Sequence, residues 1–292
     1  MPRVTVIIPC YNREEFIKST IDSALLQTYK KTEVIAVDDG STDGTRKILD
    51  GYGGLIRVLE HPGRANRGQS AAINLAIRSS ESEYVAVLDS DDLWAPQKIE
   101  RQVNFLEARP EIGLVYSNGY AIDENGSRLY SIFPAGHKET NRPGAILLDC
   151  YAGCPSGHLV RRRTLDEAGD YDEELRSAQD HDMLIRLAEI TKLAFLNEDL
   201  WFYRIHGDTL SQKYARRRWQ LGFRILEKAC KRYNYGPRVR RKRLAVLNYR
   251  LWQCVAAESG LVKAMPFFLK AGIFDPLRAV RVVLGKEDNH NE

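Results

Sequence analysis

The sequence predicts an α/β fold: a Rossmann-like, mostly parallel sheet flanked by helices, followed by a basic helical C-terminal extension. Three observations carry this expectation. Short apolar runs alternate with helical patterns through the first 118 residues, the rhythm of a doubly wound sheet. Acidic residues arrive where those runs end, as in Asp38-Asp39 and Asp89-Ser90-Asp91-Asp92. The charge also divides: residues 1–210 hold 24 Lys/Arg against 33 Asp/Glu, whereas residues 211–250 hold 14 against one.

Taken in order, residues 4–8 form a first apolar strand that Pro9 is expected to break. Asn12 and Glu15 have the spacing of a capping box, and Phe16, Ile17, Ile21, Ala24 and Leu25 share one helical face. Residues 33–37 are a second strand, and Gly40-Ser41 turns into a short helix. Residues 55–59, 84–88 and 113–117 are further strands, with a helix over 68–78 between the first two. Pro96 suits the first position of another helix. The second half is less regular: 119–163 reads as short strands and loops, 180–190 as a helix and 200–205 as a strand. From about residue 212 the pattern is helical and basic. The expected division is a domain over 1–211, with a nucleotide half to about 118 and an acceptor half from 119, then an extension over 212–292.

Composition narrows the function. At 43% apolar and 28% charged, the chain is an ordinary globular one. Five cysteines, odd in number, suit a reduced compartment better than a disulfide scaffold. Cys150 and Cys154 lack a second pair at zinc-site spacing. The opening MPRVTVIIPC reads as a strand rather than a secretion signal. No apolar run approaches the roughly 20 residues of a membrane helix. The expected location is cytoplasmic, peripheral on the inner face of the membrane.

Ligands of doubly wound sheets bind beyond the carboxyl ends of the strands, which is where Asp38, Asp39, Asp89 and Asp91 fall. Three acids within four positions repel unless a cation sits among them. Carboxylates suit Mg²⁺ or Mn²⁺, which share their shell with substrate phosphates. By residue type alone the triplet reads first as a solvated strand-end loop, or as an N-cap for the helix near Pro96. The chain has neither a Walker loop nor GxGxxG after the first strand.

Five ordered segments then make a pattern: residues 4–45, ANRGQSAAINLAI (65–77), LDSDD (88–92), QDHDMLIRLA (179–188) and YRIHGDTLS (203–211). Together they closely resemble family 2 glycosyltransferases of the GT-A fold, over about residues 3–211. The resemblance implies an inverting, metal-dependent transferase using a nucleotide sugar, with UDP favoured and Mn²⁺ or Mg²⁺ as cofactor. It implies that Tyr11 offers a ring face to the base and Asp39 accepts from uracil N3–H, with Pro9, Arg67, Asp89 and Ser90 also on the nucleotide side. Asp89 would meet the ribose and Asp91 the metal, while Asp92 would tune the metal or cap the next helix. Asp180 would be the general base. Gln179 stands where Glu is usual, leaving the role of that position open, and Asp182 is either a second candidate base or a helix-start residue. His206 would meet the metal or a phosphate, or else be a satisfied polar residue. Arg204 would pair with acids or phosphate, and Asn74 would support its loop. Ser156 and His158, in GCPSGH, would face the sugar unless the segment is a plain turn.

The implied acceptor is a glycan or lipid-linked glycan, in cell-surface or extracellular glycan assembly. The alternatives are a sugar-1-phosphate nucleotidyltransferase, which lacks its Gly-rich basic loop here, and a non-catalytic nucleotide-sugar-binding protein. The tail carries Arg216-Arg217-Arg218 and the basic run 238–243. No nucleic-acid motif accompanies it. It would contact an anionic membrane, aided by Trp219, Phe223, Trp252, Phe267 and Phe268, or form a solvated face with those aromatics packed inward. Oligomeric state is left open by the sequence.

Overall fold

The computed structural model describes residues 3–149, 151–207 and 215–277. These fall into two compact units: residues 3–142 with 151–207, and residues 143–149 with 215–277. The expected boundary at 211/212 lies outside the described residues.

The first unit is built on one nine-stranded sheet. Its strands are β1 (Val4–Cys10), β2 (Thr32–Asp38), β3 (Arg57–Glu60), β4 (Tyr84–Val87), β5 (Leu93–Trp94), β6 (Ile112–Ile122), β7 (Arg128–Ser131), β8 (His158–Arg161) and β9 (Lys192–Arg204). The order is β3-β2-β1-β4-β8-β6-β9-β5, with β7 on β6. The first four run parallel. β8 then enters antiparallel between β4 and β6, while β6 and β9 are parallel. β1 is buried along its whole length, as a strand covered by helices on both faces must be. Its covers include α1 (Ile17–Leu25) and α3 (Gln69–Arg78), while α2 (Thr45–Asp50) packs on β2 and α1. The remaining helices of this unit are α4 (Lys98–Glu107), and, beyond α5 of the second unit, α6 (Arg162–Ala168) and α7 (Gln179–Ile190).

Several local expectations need correcting. Pro9 does not break β1; it lies within the strand opposite Val37. β4 pairs with β1 only along Val4–Ile7, and Leu88 N–H donates to Ile7 C=O. By alternation, Pro9 presents its missing N–H to the side that β4 has already left, so no ladder bond is lost. Asn12 is not a helix cap: α1 begins after Phe16 with no side-chain cap. Asn12 instead takes φ +50, and its Oδ1 accepts Thr42 N–H at 2.8 Å. Pro96 precedes α4 by two residues, because β5, which no periodicity announced, comes first and pairs with β9. β6 and β9 are also longer than expected.

The second unit is helical: α5 (Pro143–Leu148), α8 (Ala215–Arg232), α9 (Pro237–Ser259) and α10 (Leu261–Phe274). α8 and α9 meet at Gly222, where a Cβ would collide with Leu247. Arg243, counted in the basic run, is buried and donates to Leu148 C=O at 2.8 Å. Trp252 packs between Tyr249 and Phe268, with ring centroids 5.4 and 5.2 Å away. Tyr249, Trp252 and Phe268 are all half-buried.

Candidate active site

The strand ends of β1, β2 and β4 deliver three loops to one edge of the sheet. On the β1 loop, Tyr11 is 44% exposed beyond the strand. On the β2 loop, buried Asp38 accepts Ser41 N–H at 2.9 Å and shapes the turn. Asp39, also buried, accepts the backbone N–H groups of Arg67 and Gly68, both at 2.7 Å. Burial raises its carboxyl pKa, and those two N–H bonds partly offset the rise. Gly40 sits at φ +78 with its Cα facing the neighbouring loop: a Cβ would lie 2.5 Å from Arg64 C=O. Only glycine fits both demands.

Arg67 turns outward to Glu173 at 3.0 Å. Another cation, one the sequence did not single out, is Arg176, which lies over Gly68 and, after His61, lowers the pKa of Asp39. Asn74 clamps the backbone of Tyr171, donating to its C=O and accepting its N–H, both at 2.9 Å.

The β4 loop holds the acids, and they are not equivalent. Asp92 is fully buried; its Oδ2 accepts the Ser156 hydroxyl at 2.6 Å and its Oδ1 accepts Arg204 N–H at 3.0 Å. Asp92 thus ties three segments together. Ser156, also fully buried, accepts Asp89 N–H at 3.1 Å. Its neighbours are pinned from the opposite side: Trp94 Nε1–H donates to Ser156 C=O, Gln102 to Gly157 C=O and buried Lys98 to His158 C=O, at 2.7 to 2.9 Å. His158 donates Nε2–H to Ala152 C=O at 2.8 Å. The GCPSGH segment is thus a brace for the acidic loop, with both side chains buried. Ser90 is buried too, and its C=O accepts the Thr20 hydroxyl at 3.1 Å. Arg204 points neither at acid side chains nor outward; its guanidinium donates to the carbonyls of Asp91 and Glu124.

Of the three acids, Asp91 is the one whose carboxylate meets a guanidinium and an imidazole. Its Oδ2 lies 3.3 Å from Arg13 Nε and 3.1 Å from His206 Nε2. The His206 ring is buried and tilted against Phe16, with centroids 4.6 Å apart. Among the described residues no three His, Cys, Asp or Glu side chains converge as a complete metal shell. Asp91 and His206 fit a divalent cation as a partial set of one carboxylate and one imidazole, the remainder being left for diphosphate oxygens and water.

Asp89 retains some surface, yet its carboxyl is desolvated enough to be pushed up to about 7, with Asp91 and then Asp180 adding to the rise. The first turn of α7 reaches the acidic loop through Gln179 and Gln69. Asp180 lies in this turn and accepts its neighbour's amide, His181 N–H, at 2.8 Å. Ala178, at φ +59, turns the chain into the helix. Asp182 points away, bonded to Arg186 at 3.0 Å and fully buried. Gln179 donates to Gln69 at 2.7 Å, and Gln69 donates to Asp89 at 2.8 Å. This amide relay links α7, α3 and the acidic loop; Gln179 Oε1 is buried with no hydrogen-bond partner among the described residues.

Asp89, Asp91, Asp180 and His206 are thus assembled in one region, with Asp39 and Tyr11 on adjoining loops. Arg13, Gln69 and Arg176 were missed, and Ser156 was marked for the sugar rather than for bracing the acidic loop. Only Arg13 had a signal, as a cation just past a strand end.

The model of glycosyl transferase family 2 matches residues 5–169. An uncharacterized glycosyltransferase of Rickettsia bellii is 35% identical over 219 residues, 73% of this chain and 31% of that protein. Chondroitin synthase of Escherichia coli is 26% identical over 244 residues, 81% and 34%. The chain spans about a third of the length of these relatives. Among solved structures, Staphylococcus aureus TarS 1-349 in complex with UDP-GlcNAc gives a TM-score of 0.65 at 17% identity, covering 97% of this chain and 88% of that one. Mannosyltransferase PcManGT from Pyrobaculum calidifontis, in complex with GDP-Man and Mn²⁺, gives 0.60 at 22%, covering 97% and 79%. The fold is that of the GT-A glycosyltransferases.

Proposed function

The chain belongs to glycosyl transferase family 2, and on that footing we propose that it moves a sugar from a nucleoside diphosphate sugar to an acceptor hydroxyl by direct, inverting displacement. A UDP-sugar is the favoured donor and a glycan or lipid-linked glycan the acceptor, in cell-surface or extracellular glycan assembly. The bound UDP-GlcNAc of one solved neighbour supports the donor class. Contact of the basic second unit with an anionic membrane belongs to the same proposal.

Tyr11 stacks on the base with its exposed ring. Each Asp39 oxygen has a second lone pair beyond its backbone bond, which can accept from a pyrimidine N3–H. Asp89, oriented by Gln69, takes a ribose hydroxyl. Asp91 and His206 would hold a divalent cation, in support of which a neighbour contains Mn²⁺. When bound, that cation supplies charge neutralisation for the departing diphosphate. Asp180 takes the proton of the acceptor hydroxyl as the new glycosidic C–O bond forms and the bond to diphosphate breaks. Base and leaving group lie on opposite faces of the anomeric carbon, so no covalent intermediate is needed.

The observation that supports this reading most is the amide relay from Gln179 through Gln69 to Asp89, at 2.7 and 2.8 Å, which ties the helix turn carrying Asp180 to the acidic loop. Nucleoside diphosphate release should be followed across UDP- and GDP-sugars, with and without Mn²⁺, for the wild type and Asp180→Asn. Release that needs both Mn²⁺ and Asp180 is expected. Donor binding without release across a broad acceptor panel would leave a binding protein instead.

A further inference from the structure

The last described helix, α10, is unusual for a helix at a surface. Its sequence, LVKAMPFFLKAGIF, contains no acid and only two charges, Lys263 and Lys270. Ala264 and Ala271 are its buried positions, seven residues apart, and they mark the inward face. The opposite side stays open. Val262 is 88% exposed, Leu269 59% and Ile273 69%, and Leu261 and Met265 are exposed as well. Positions 262, 265, 269 and 273 recur every three to four residues, so they form one stripe. The two lysines, also seven apart, are exposed along one border of it. Within this unit, residues 215–277 carry fifteen Lys/Arg against three Asp/Glu.

An apolar stripe with a cationic border on a strongly cationic unit matches an anionic lipid surface. Anionic bilayers offer an apolar interior beneath a negatively charged headgroup layer, and lysine stems reach from the first into the second. α10 has 14 residues, about 21 Å at 1.5 Å per residue, too short for the roughly 30 Å hydrocarbon core. No described helix is long and apolar enough to cross a membrane. Its geometry is therefore that of a helix lying in the interface.

We propose that α10 docks the protein on an anionic lipid surface, with Val262, Met265, Leu269 and Ile273 inserted among the acyl chains and Lys263 and Lys270 at the headgroups. This sharpens the membrane contact proposed above and moves it. The aromatics Trp252 and Phe268 pack within the unit, and Arg243 is internally bonded. The contact lies on aliphatic residues that charge patterning did not mark. It does not depend on the transferase reading, since vesicle binding requires no turnover.

The test is flotation of the full chain with vesicles of phosphatidylcholine alone or with 30% phosphatidylglycerol, at low and physiological salt. Binding is expected only with the anionic lipid, weakening as salt rises. Neutralising Lys263 and Lys270 should each lower partitioning roughly five-fold. Leu269→Glu/Ile273→Glu should lose it, while Arg240→Ala, outside the stripe, should keep most of the wild-type apolar anchoring. Folding of each variant is checked by circular dichroism and melting temperature. Wild type that fails to float at low salt overturns the proposal, as does undiminished binding by folded L269E/I273E. So does a concentration-dependent dimer that this double variant dissolves while vesicles bind neither form, because the stripe would then belong to a second copy.

Discussion

The Ser156 hydroxyl donates to Asp92 Oδ2 at 2.6 Å, joining two fully buried residues 64 positions apart. Asp92 carries a pKa raised far above the usual carboxylate range, by burial first and by Asp91 and Asp89 next. Ser156→Ala would remove one of its two donors and leave Asp89 N–H without its acceptor. The expected cost is about 2 kcal/mol of stability, read by urea denaturation. Donor affinity should fall as well, since the acidic loop loses its brace. Unchanged stability and affinity would show that Ser156 does not set the loop.

Asp180→Asn should bind donor as the wild type does and lose about 10²–10⁴-fold in turnover. Calorimetry and a coupled assay for nucleoside diphosphate release measure the two separately. Near-normal turnover would remove Asp180 as the base and direct attention elsewhere in the first turn of α7.

Asp91→Ala should abolish any Mn²⁺-dependent gain in UDP affinity, measured by titration with and without the ion. The same substitution frees Arg13 and His206 from their shared carboxylate. Metal-free UDP affinity is therefore expected to hold or rise, since Arg13 becomes available to phosphate. An intact Mn²⁺ effect would place the metal elsewhere.

Gly40→Ala combines a left-handed φ of +78 with a Cβ driven against Arg64 C=O. We expect about 1–3 kcal/mol of destabilisation and a loss of nucleotide affinity, because the Asp39 loop must shift. A thermal melt and a UDP titration check both. Unaltered values would mean that the Arg64 loop yields easily.

Burial pushes the His158 imidazole down from 6.5 to about 4. The folded state therefore holds it neutral, while the unfolded chain takes up a proton near pH 6.5. The unfolded state binds more protons between these values, so this contribution is present above pH 6.5 and is lost as pH falls toward about 4. The loss amounts to roughly 3 kcal/mol. Urea denaturation of wild type and His158→Asn at pH 7.5 and 4.5 isolates it: the wild type should lose more stability on acidification than the variant. Equal losses would show that His158 is not the group responsible.

Much of the sheet was legible because parallel strands buried on both faces read as plain apolar runs, as at β1 and β4. The acids at their ends were legible for the same reason, since topology places strand ends at the ligand edge. What escaped was set by contacts between distant segments. Nothing local distinguishes Ser156 from a serine in a turn, or Arg204 from a cation seeking an anion. β5 was hidden because two residues carry no period. Asn12 resembled a cap through its spacing to Glu15, but tertiary bonding to Thr42 N–H won over local propensity. Pro9 misled because its cost depends on which neighbour has already left the ladder.

The ties of Asp92 also fix an order of assembly. Its partners are Ser156 and Arg204, 64 and 112 residues further along the chain. During synthesis the acidic loop emerges well before either, and loops of that length close late. The nucleotide half can fold around its apolar strands while the acids remain spread in water, where their repulsion is slight. Burial and crowding of the three carboxylates come only when the chain has passed Arg204, so within the first unit the buried geometry of the acidic loop is acquired late.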